Sequence, residues 1–306
     1  MRRVVTGIVI GIAVLVLLCG GLYVLGTRQI AAREPEQLSQ VRDWLPGRFV
    51  EVQGRHIHIV EQGVGPAVLL VHGFAASTFD WEEAVLPALA REYHTIALDL
   101  YGMGFSERDD QLRYGFDLWV RQVGETLDAL GIERATVIGH SLGGAVATLF
   151  AAEHPERVER LVLVAALAPA GVREAPWWAF VLVTPGVGEF LCRATGVFHP
   201  PGFSAAYYER ARSLYRLAGT RRAMLSYMRG GADFPRLLAA YPKIKAPTLI
   251  LHGTADEAVL YATIARVKPQ LQNVQMVTDE GGGHWLYRDK PEWVVSEIRT
   301  FLRSER

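Results

Sequence analysis

Gly139-His140-Ser141-Leu142-Gly143-Gly144 places a serine between two glycines where an apolar run meets a helical one. Upstream, Ala135-Thr136-Val137-Ile138 is short, apolar and rich in β-branched residues, which predicts a buried strand. Downstream, Leu142 to His154 predicts a helix that stops at Pro155. A serine at such a junction sits on a very tight turn, and its strained backbone needs neighbours without a Cβ; Gly139 and Gly143 supply them. The turn lifts the hydroxyl clear of the sheet, and the helix start behind it contributes free N–H groups that favour negative charge on a nearby oxygen. This pattern is a nucleophile elbow.

A serine nucleophile needs a base to take its proton and a carboxylate to orient that base, and one chain order is serine, acid, histidine. Pro247-Thr248-Leu249-Ile250-Leu251-His252-Gly253 predicts another buried strand, with Asp256 in the loop behind it. Val274 to Val277 predicts a further strand, followed by Glu280-Gly281-Gly282-Gly283-His284-Trp285. In an open parallel sheet the carboxyl ends of the strands share one edge, so Ser141, Asp256 and His284 can converge there. Asp256 also fits as the N-cap of a helix from Ala258 to Lys268, and Glu257 and Asp279 compete for the acid role. His252 is a rival for the base. His56 and His58 alternate along an early strand and are expected on an exposed face, while His94, His154 and His199 lack a comparable loop setting.

Leu69-Leu70-Val71-His72-Gly73-Phe74 is an apolar strand ending in His-Gly. A tetrahedral oxyanion needs two preorganised donors, and the backbone N–H groups of Leu142 and Phe74 are the candidates. His72 is expected to brace the loop.

These motifs resemble those of the α/β-hydrolase superfamily, in the serine esterase and lipase branch that includes monoacylglycerol lipase. The resemblance runs from about Gly54 to Leu302. It includes Asp99-Leu100-Tyr101-Gly102-Met103-Gly104-Phe105-Ser106, which is similar to the family's Asp-x-x-Gly-x-Gly-x-Ser loop. It implies Ser141 as nucleophile, Asp256 as acid, His284 as base, Phe74 and Leu142 as oxyanion hole, and structural roles for Asp99 and Ser106. In one departure, Val259 and Leu260 stand where relatives carry a proline shortly after the acid.

Length fits one catalytic domain of about 270 residues. The βα alternation continues through Thr95 to Leu98, Phe116 to Leu130, Leu161 to Ala165 and Glu292 to Leu302, behind a hairpin of Phe49 to Val52 with Arg55 to Glu61. The expected fold is α/β: a mainly parallel eight-stranded sheet with helices on both faces, spanning 49–306. Between Ala168 and Tyr241 the rhythm breaks and aromatics accumulate, among them Trp177, Trp178, Phe203, Tyr208 and Tyr227. This resembles the family's helical cap, inserted after the sixth strand at about 168–241, and a cap of that composition favours a greasy substrate.

Val4 to Leu25 holds no charged residue over 22 positions, long enough as a helix to cross a hydrocarbon layer of roughly 30 Å. A transmembrane anchor over 1–28, a linker over 29–48, a single-pass membrane localisation and a lipid-bilayer partner are therefore expected. Cys19 and Cys192 are not placed to pair. A net charge of zero and the lack of a basic cluster argue against a nucleic-acid partner. Zinc spacing, a phosphate loop and a dinucleotide fingerprint are all missing, so no metal and no cofactor is expected. The expected activity is hydrolysis of lipophilic carboxylic esters, small-molecule acyl esters, through an acyl-serine. The alternative is carbon–carbon bond hydrolysis of a vinylogous diketone by the same triad.

Overall fold

A computed structural model describes residues 14–25, 45–109, 111–169, 214, 217 and 219–304. By contact the chain divides into two units. One, of Leu45–Val172 and Ser226–Arg306, carries the whole sheet; the other comprises, among the described residues, 14–25, 214, 217 and 219–225.

The strands are β1 (Arg48–Val52), β2 (Arg55–Gln62), β3 (Ala67–Val71), β4 (His94–Leu98), β5 (Ala135–His140), β6 (Val158–Val164), β7 (Thr248–Gly253) and β8 (Val274–Asp279). They form one eight-stranded sheet in the order β1-β2-β4-β3-β5-β6-β7-β8. The β1–β2 and β2–β4 pairs are antiparallel, and every later pair is parallel. This is the expected α/β-hydrolase architecture.

Both faces of the central strands are buried, as their near-continuous apolar runs require. Leu70, Ile138, Val162 and Leu249 stand side by side on one face, in a core with Trp81, Leu86, Val294, Ile298 and Phe301. Their chain neighbours Leu69, Val137, Leu163 and Ile250 are equally buried, because successive side chains alternate faces. The helix Pro291–Arg303 begins on a proline, whose fixed φ suits that position, and buries Val294, Val295, Ile298 and Phe301 as one stripe. Helix Leu142–Glu153 has ten buried residues and packs between the sheet and the helices Phe116–Ala129 and Phe234–Ala240.

Register then fixes one edge. Val71 pairs with Gly139, His140 with Val164, Val164 with Leu251, and Gly253 with Asp279. The loops after β3, β5, β7 and β8 therefore leave the sheet together.

Two expectations are corrected. Among the described residues no helix is long and apolar enough to cross a membrane. The helix described within the uncharged run covers residues 14–25, about 18 Å at 1.5 Å per residue, against a hydrocarbon layer of roughly 30 Å. Lack of charge measures hydropathy rather than helix length. The transmembrane anchor, the bilayer partner and the membrane localisation are not sustained. The cap expected over about 168–241 lies largely outside the described residues; within it, helices Thr220–Met228 and Phe234–Ala240 are described.

The second correction concerns His58, which is wholly buried rather than exposed. Its strand lies between β1 and β4, and the loop after β4 covers it, with the Phe105 ring 5.5 Å away. His58 Nδ1 lies 2.8 Å from Asp99 Oδ2, and its Nε2 lies 2.9 Å from the Pro46 carbonyl oxygen. Both partners only accept, so both nitrogens carry hydrogen and the ring is a cation. Burial opposes that charge, but the hydrogen bond and charge of Asp99 outweigh it and raise the His58 pKa. Burial likewise opposes the Asp99 carboxylate, and the hydrogen bond and charge of His58, with the Phe105 N–H, hold its pKa below the ordinary value. Asp99 also accepts from the Thr78 N–H at 2.7 Å, which makes it the knot of its loop.

A raised histidine pKa stabilises the fold fully below about 6.5, and the contribution is lost as pH rises through the folded value. Asp99 works in the opposite sense, its contribution disappearing as pH falls below about 3.9. His58→Gln is thus expected to cost about 3–5 kcal/mol at pH 6, where it breaks a buried pair, and less at pH 9. Urea unfolding at the two pH values checks this, and a gap that does not narrow rules out a charged His58.

Candidate active site

Ser141 follows β5 directly and has φ 50° and ψ −117°, a conformation rare outside glycine. The surrounding backbone holds it there. Its N–H donates to the Val164 carbonyl at 3.2 Å, and its own carbonyl accepts from the Gly144 N–H at 3.0 Å and the Leu167 N–H at 2.8 Å. Such strain persists only where neighbouring structure over-determines it. A methyl on Gly139 would lie 2.3 Å from the Gly143 carbonyl oxygen, and one on Gly143 would lie 2.3 Å from that of Val71. These glycines serve close backbone approach. The Ser141 side chain is partly exposed and caps nothing in the helix it precedes.

The loops after β7 and β8 are joined by Thr254 N–H to the Asp279 carbonyl and Ala255 N–H to the Gly282 carbonyl, both at 2.9 Å. This brings residues 28 positions apart together: His284 Nδ1 lies 2.8 Å from Asp256 Oδ2. The acid is buried and the imidazole is 11% exposed. Because a carboxylate accepts, Nδ1 carries the hydrogen and Nε2 presents a lone pair. Asp256 Oδ1 separately accepts from the N–H groups of Ala258 and Val259, each at 2.8 Å. The capping use and the histidine-bracing use, alternatives in the sequence, coexist on different oxygens, and the helix itself begins later, at Tyr261.

The competitors are engaged elsewhere. Asp279 pairs with Lys290 at 2.6 Å, and Glu257 is exposed. His72 donates from Nδ1 to the Gly73 carbonyl at 2.7 Å and accepts the Leu100 N–H at Nε2 at 3.0 Å, a bracing role. His252 donates from Nε2 to the Val259 carbonyl at 2.9 Å.

Gly73 packs on the elbow, where a methyl would lie 3.3 Å from Ser141 Cβ. Its neighbour Phe74 and the post-elbow Leu142 have backbone N–H groups with no acceptor among the described residues. The Phe74 ring lies 5.4 Å from that of Tyr227, which also meets Trp119 at 5.2 Å and Phe116 at 6.1 Å. Aromatic surface thus adjoins the loop after β3. His140, to which the motif assigns no role, has its ring 4.8 Å from that of His284. Its place immediately before Ser141 was the available signal. No group of histidine, cysteine or acidic side chains that could hold a metal occurs among the described residues.

Residues 66–291 match the family model of the alpha/beta hydrolase fold. Among curated relatives, the chain is 29% identical over 275 residues to 2-hydroxy-6-oxo-2,4-heptadienoate hydrolase of Pseudomonas putida, covering 85% of this chain and 97% of that protein. It is 24% identical over 312 residues to epoxide hydrolase 1 of Caenorhabditis elegans, covering 93% and 76%. Among solved structures, it is similar to a membrane phospholipase A described as a bacterial virulence factor, with a TM-score of 0.71 and 27% identity over 99% of this chain and 98% of that one.

Proposed function

We infer, from the premise that this chain belongs to the alpha/beta hydrolase fold family and is a hydrolase, that it is a serine hydrolase of lipophilic carboxylic esters. The observation that carries the reading is the 2.8 Å contact of His284 with Asp256 on the sheet edge where the strained Ser141 elbow stands. Ser141 Oγ attacks the ester carbonyl as His284 Nε2 takes its proton, and the N–H groups of Phe74 and Leu142 hold the oxyanion. His284 returns the proton to the departing alcohol. Water, deprotonated by the same imidazole, then attacks the acyl-serine and releases the acid. Asp256 keeps the imidazole in the tautomer this cycle needs.

The ester preference draws support from the likeness to a phospholipase A and from the aromatic surface of Phe74 and Tyr227. The likeness to a heptadienoate hydrolase favours a second reading, carbon–carbon bond hydrolysis of a vinylogous diketone by the same three residues. An acidic substrate of that kind needs cations to grip it. A serine at position 141 argues against epoxide opening through an alkyl-enzyme ester, which requires a carboxylate nucleophile.

Steady-state kinetics on p-nitrophenyl butanoate and on a dienoate diketone separate the two. We expect kcat/KM for the ester to exceed that for the diketone by about 100-fold, the scale on which a site discriminates between substrates it was and was not built for. A reversed ratio moves the assignment to carbon–carbon hydrolysis.

A further inference from the structure

We propose that His140 and His252 are a matched pair of positioning residues, each using one ring N–H to hold the loop that carries a partner of the serine. The proposal rests on the triad reading above. His140 ends β5 and His252 precedes the last residue of β7. His140 Nε2 lies 3.1 Å from the backbone carbonyl oxygen of His284, and His252 Nε2 lies 2.9 Å from that of Val259, which closes the Asp256 turn. A carbonyl only accepts, so each Nε2 must be the protonated nitrogen.

The rest of each ring gains nothing polar. Nδ1 of His140 and Nδ1 of His252 are both buried without a hydrogen-bond partner among the described residues. Two wholly buried imidazoles that each leave a nitrogen unsatisfied are poor choices for filling space, which a leucine or phenylalanine would do without that cost. What an apolar side chain lacks is the single N–H aimed at the base loop or the acid turn.

The surroundings keep both rings neutral. Burial, followed by the neighbouring His284, lowers the His140 pKa well below its ordinary value. Burial also lowers that of His252, against the opposing pull of Asp256, whose Oδ2 lies 3.8 Å from His252 Nε2. Neutral donors orient the loops without placing a fixed positive charge beside the imidazole that must accept a proton. His140 is wedged as well as bonded: a methyl on Gly73 would lie 2.9 Å from its Nδ1, and its ring meets Trp285 at 5.5 Å. One side chain therefore ties the strand of the nucleophile and the oxyanion loop to the base.

The test compares Gln, Asn and Phe at each position in the full chain. Glutamine carries its amide nitrogen about as far as the imidazole Nε2, asparagine stops near Nδ1, and phenylalanine keeps the ring without a donor. Active sites are counted by fluorophosphonate titration, and kcat per titrated site, KM for the ester and melting temperature are measured. We expect Asn and Phe variants to lose about 10- to 100-fold in kcat per titrated site with KM within about twofold, the signature of a misplaced base or acid. Gln variants should return to within about threefold of the parent. Phe variants with parental kcat per titrated site, or Gln variants no better than Asn, overturn the proposal; if the Phe variants do not fold, the Gln and Asn pair decides. A parent that takes no fluorophosphonate label overturns the triad reading and this proposal with it, whereas a labelled parent with unaffected variants overturns this proposal alone.

Discussion

Ser141→Ala should take no fluorophosphonate label and should lower ester turnover by about 10⁴-fold or more, the scale seen when a serine nucleophile is removed from an intact triad. The protein should fold as before. The Ser141 side chain makes no capping bond, the backbone bonds from its N–H and carbonyl are untouched by the substitution, and alanine meets the same positive φ. A change in unfolding free energy within about 0.5 kcal/mol is expected, since no buried contact or hydrogen bond is lost. Gel fluorescence of the labelled protein, set beside a thermal melt, checks both halves. Labelling that persists in the folded variant would place the nucleophile elsewhere.

Gly143→Ala should fail in the complementary way, by losing the fold around the site. Its methyl would sit 2.3 Å from the Val71 carbonyl oxygen and 2.5 Å from that of His72, both backbone atoms that no rotamer change can move aside. Helix Leu142–Glu153 or the end of β3 must shift, at a cost of about 3 kcal/mol, the upper range for overpacking a tight core. Whatever fraction folds should also label slowly, because the displaced backbone leads straight into Gly73 and Phe74. Urea unfolding gives the first quantity and the labelling rate per folded molecule the second. A variant with the parent's midpoint would mean that the approach of these two backbones is looser than the structure places it.

Much of this architecture was legible in the chain because its signals are local. The run from Ala135 into Leu142 changes period from strand to helix across a glycine-flanked serine, and β5 and the following helix begin and end within about two residues of the expected bounds. The hairpin of β1 and β2 and the helix Pro291–Arg303 lie close to the expected Phe49–Val52 with Arg55–Glu61 and Glu292–Leu302, and the structure adds the hairpin turn at Gln53 and Gly54, with positive φ at both residues. Order alone brings Asp256 and His284 to one edge, since each follows a buried strand and parallel strands deliver their ends together, but it leaves Glu257, Asp279 and His252 open beside them.

His58 shows where alternation stops informing. A period of two places His56 and His58 on the same face, yet whether that face is covered depends on a loop 41 residues further on, whose Asp99 meets the His58 ring. His140 was hidden for a similar reason: within its motif it looks like a spacer before the serine, and its hydrogen bond runs to a carbonyl 144 residues away. The uncharged run near the amino end predicts a spanning helix from hydropathy alone, whereas among the described residues no helix is long and apolar enough to cross a membrane.

The amino-acid order by itself determined the sheet, the tight turn at Ser141 and the placing of Asp256 and His284 behind buried strands, because φ/ψ restriction, side-chain periodicity and strand direction act over a few residues at a time. Only the folded molecule decided which polar side chains lost water and which carbonyl each found instead. That choice belongs to pairs far apart in the chain: His58 with Asp99, His140 with the backbone of His284, and the two oxygens of Asp256 divided between a turn and an imidazole. A buried polar group must be matched by whatever packing brings within about 3 Å, and packing is a property of the whole core.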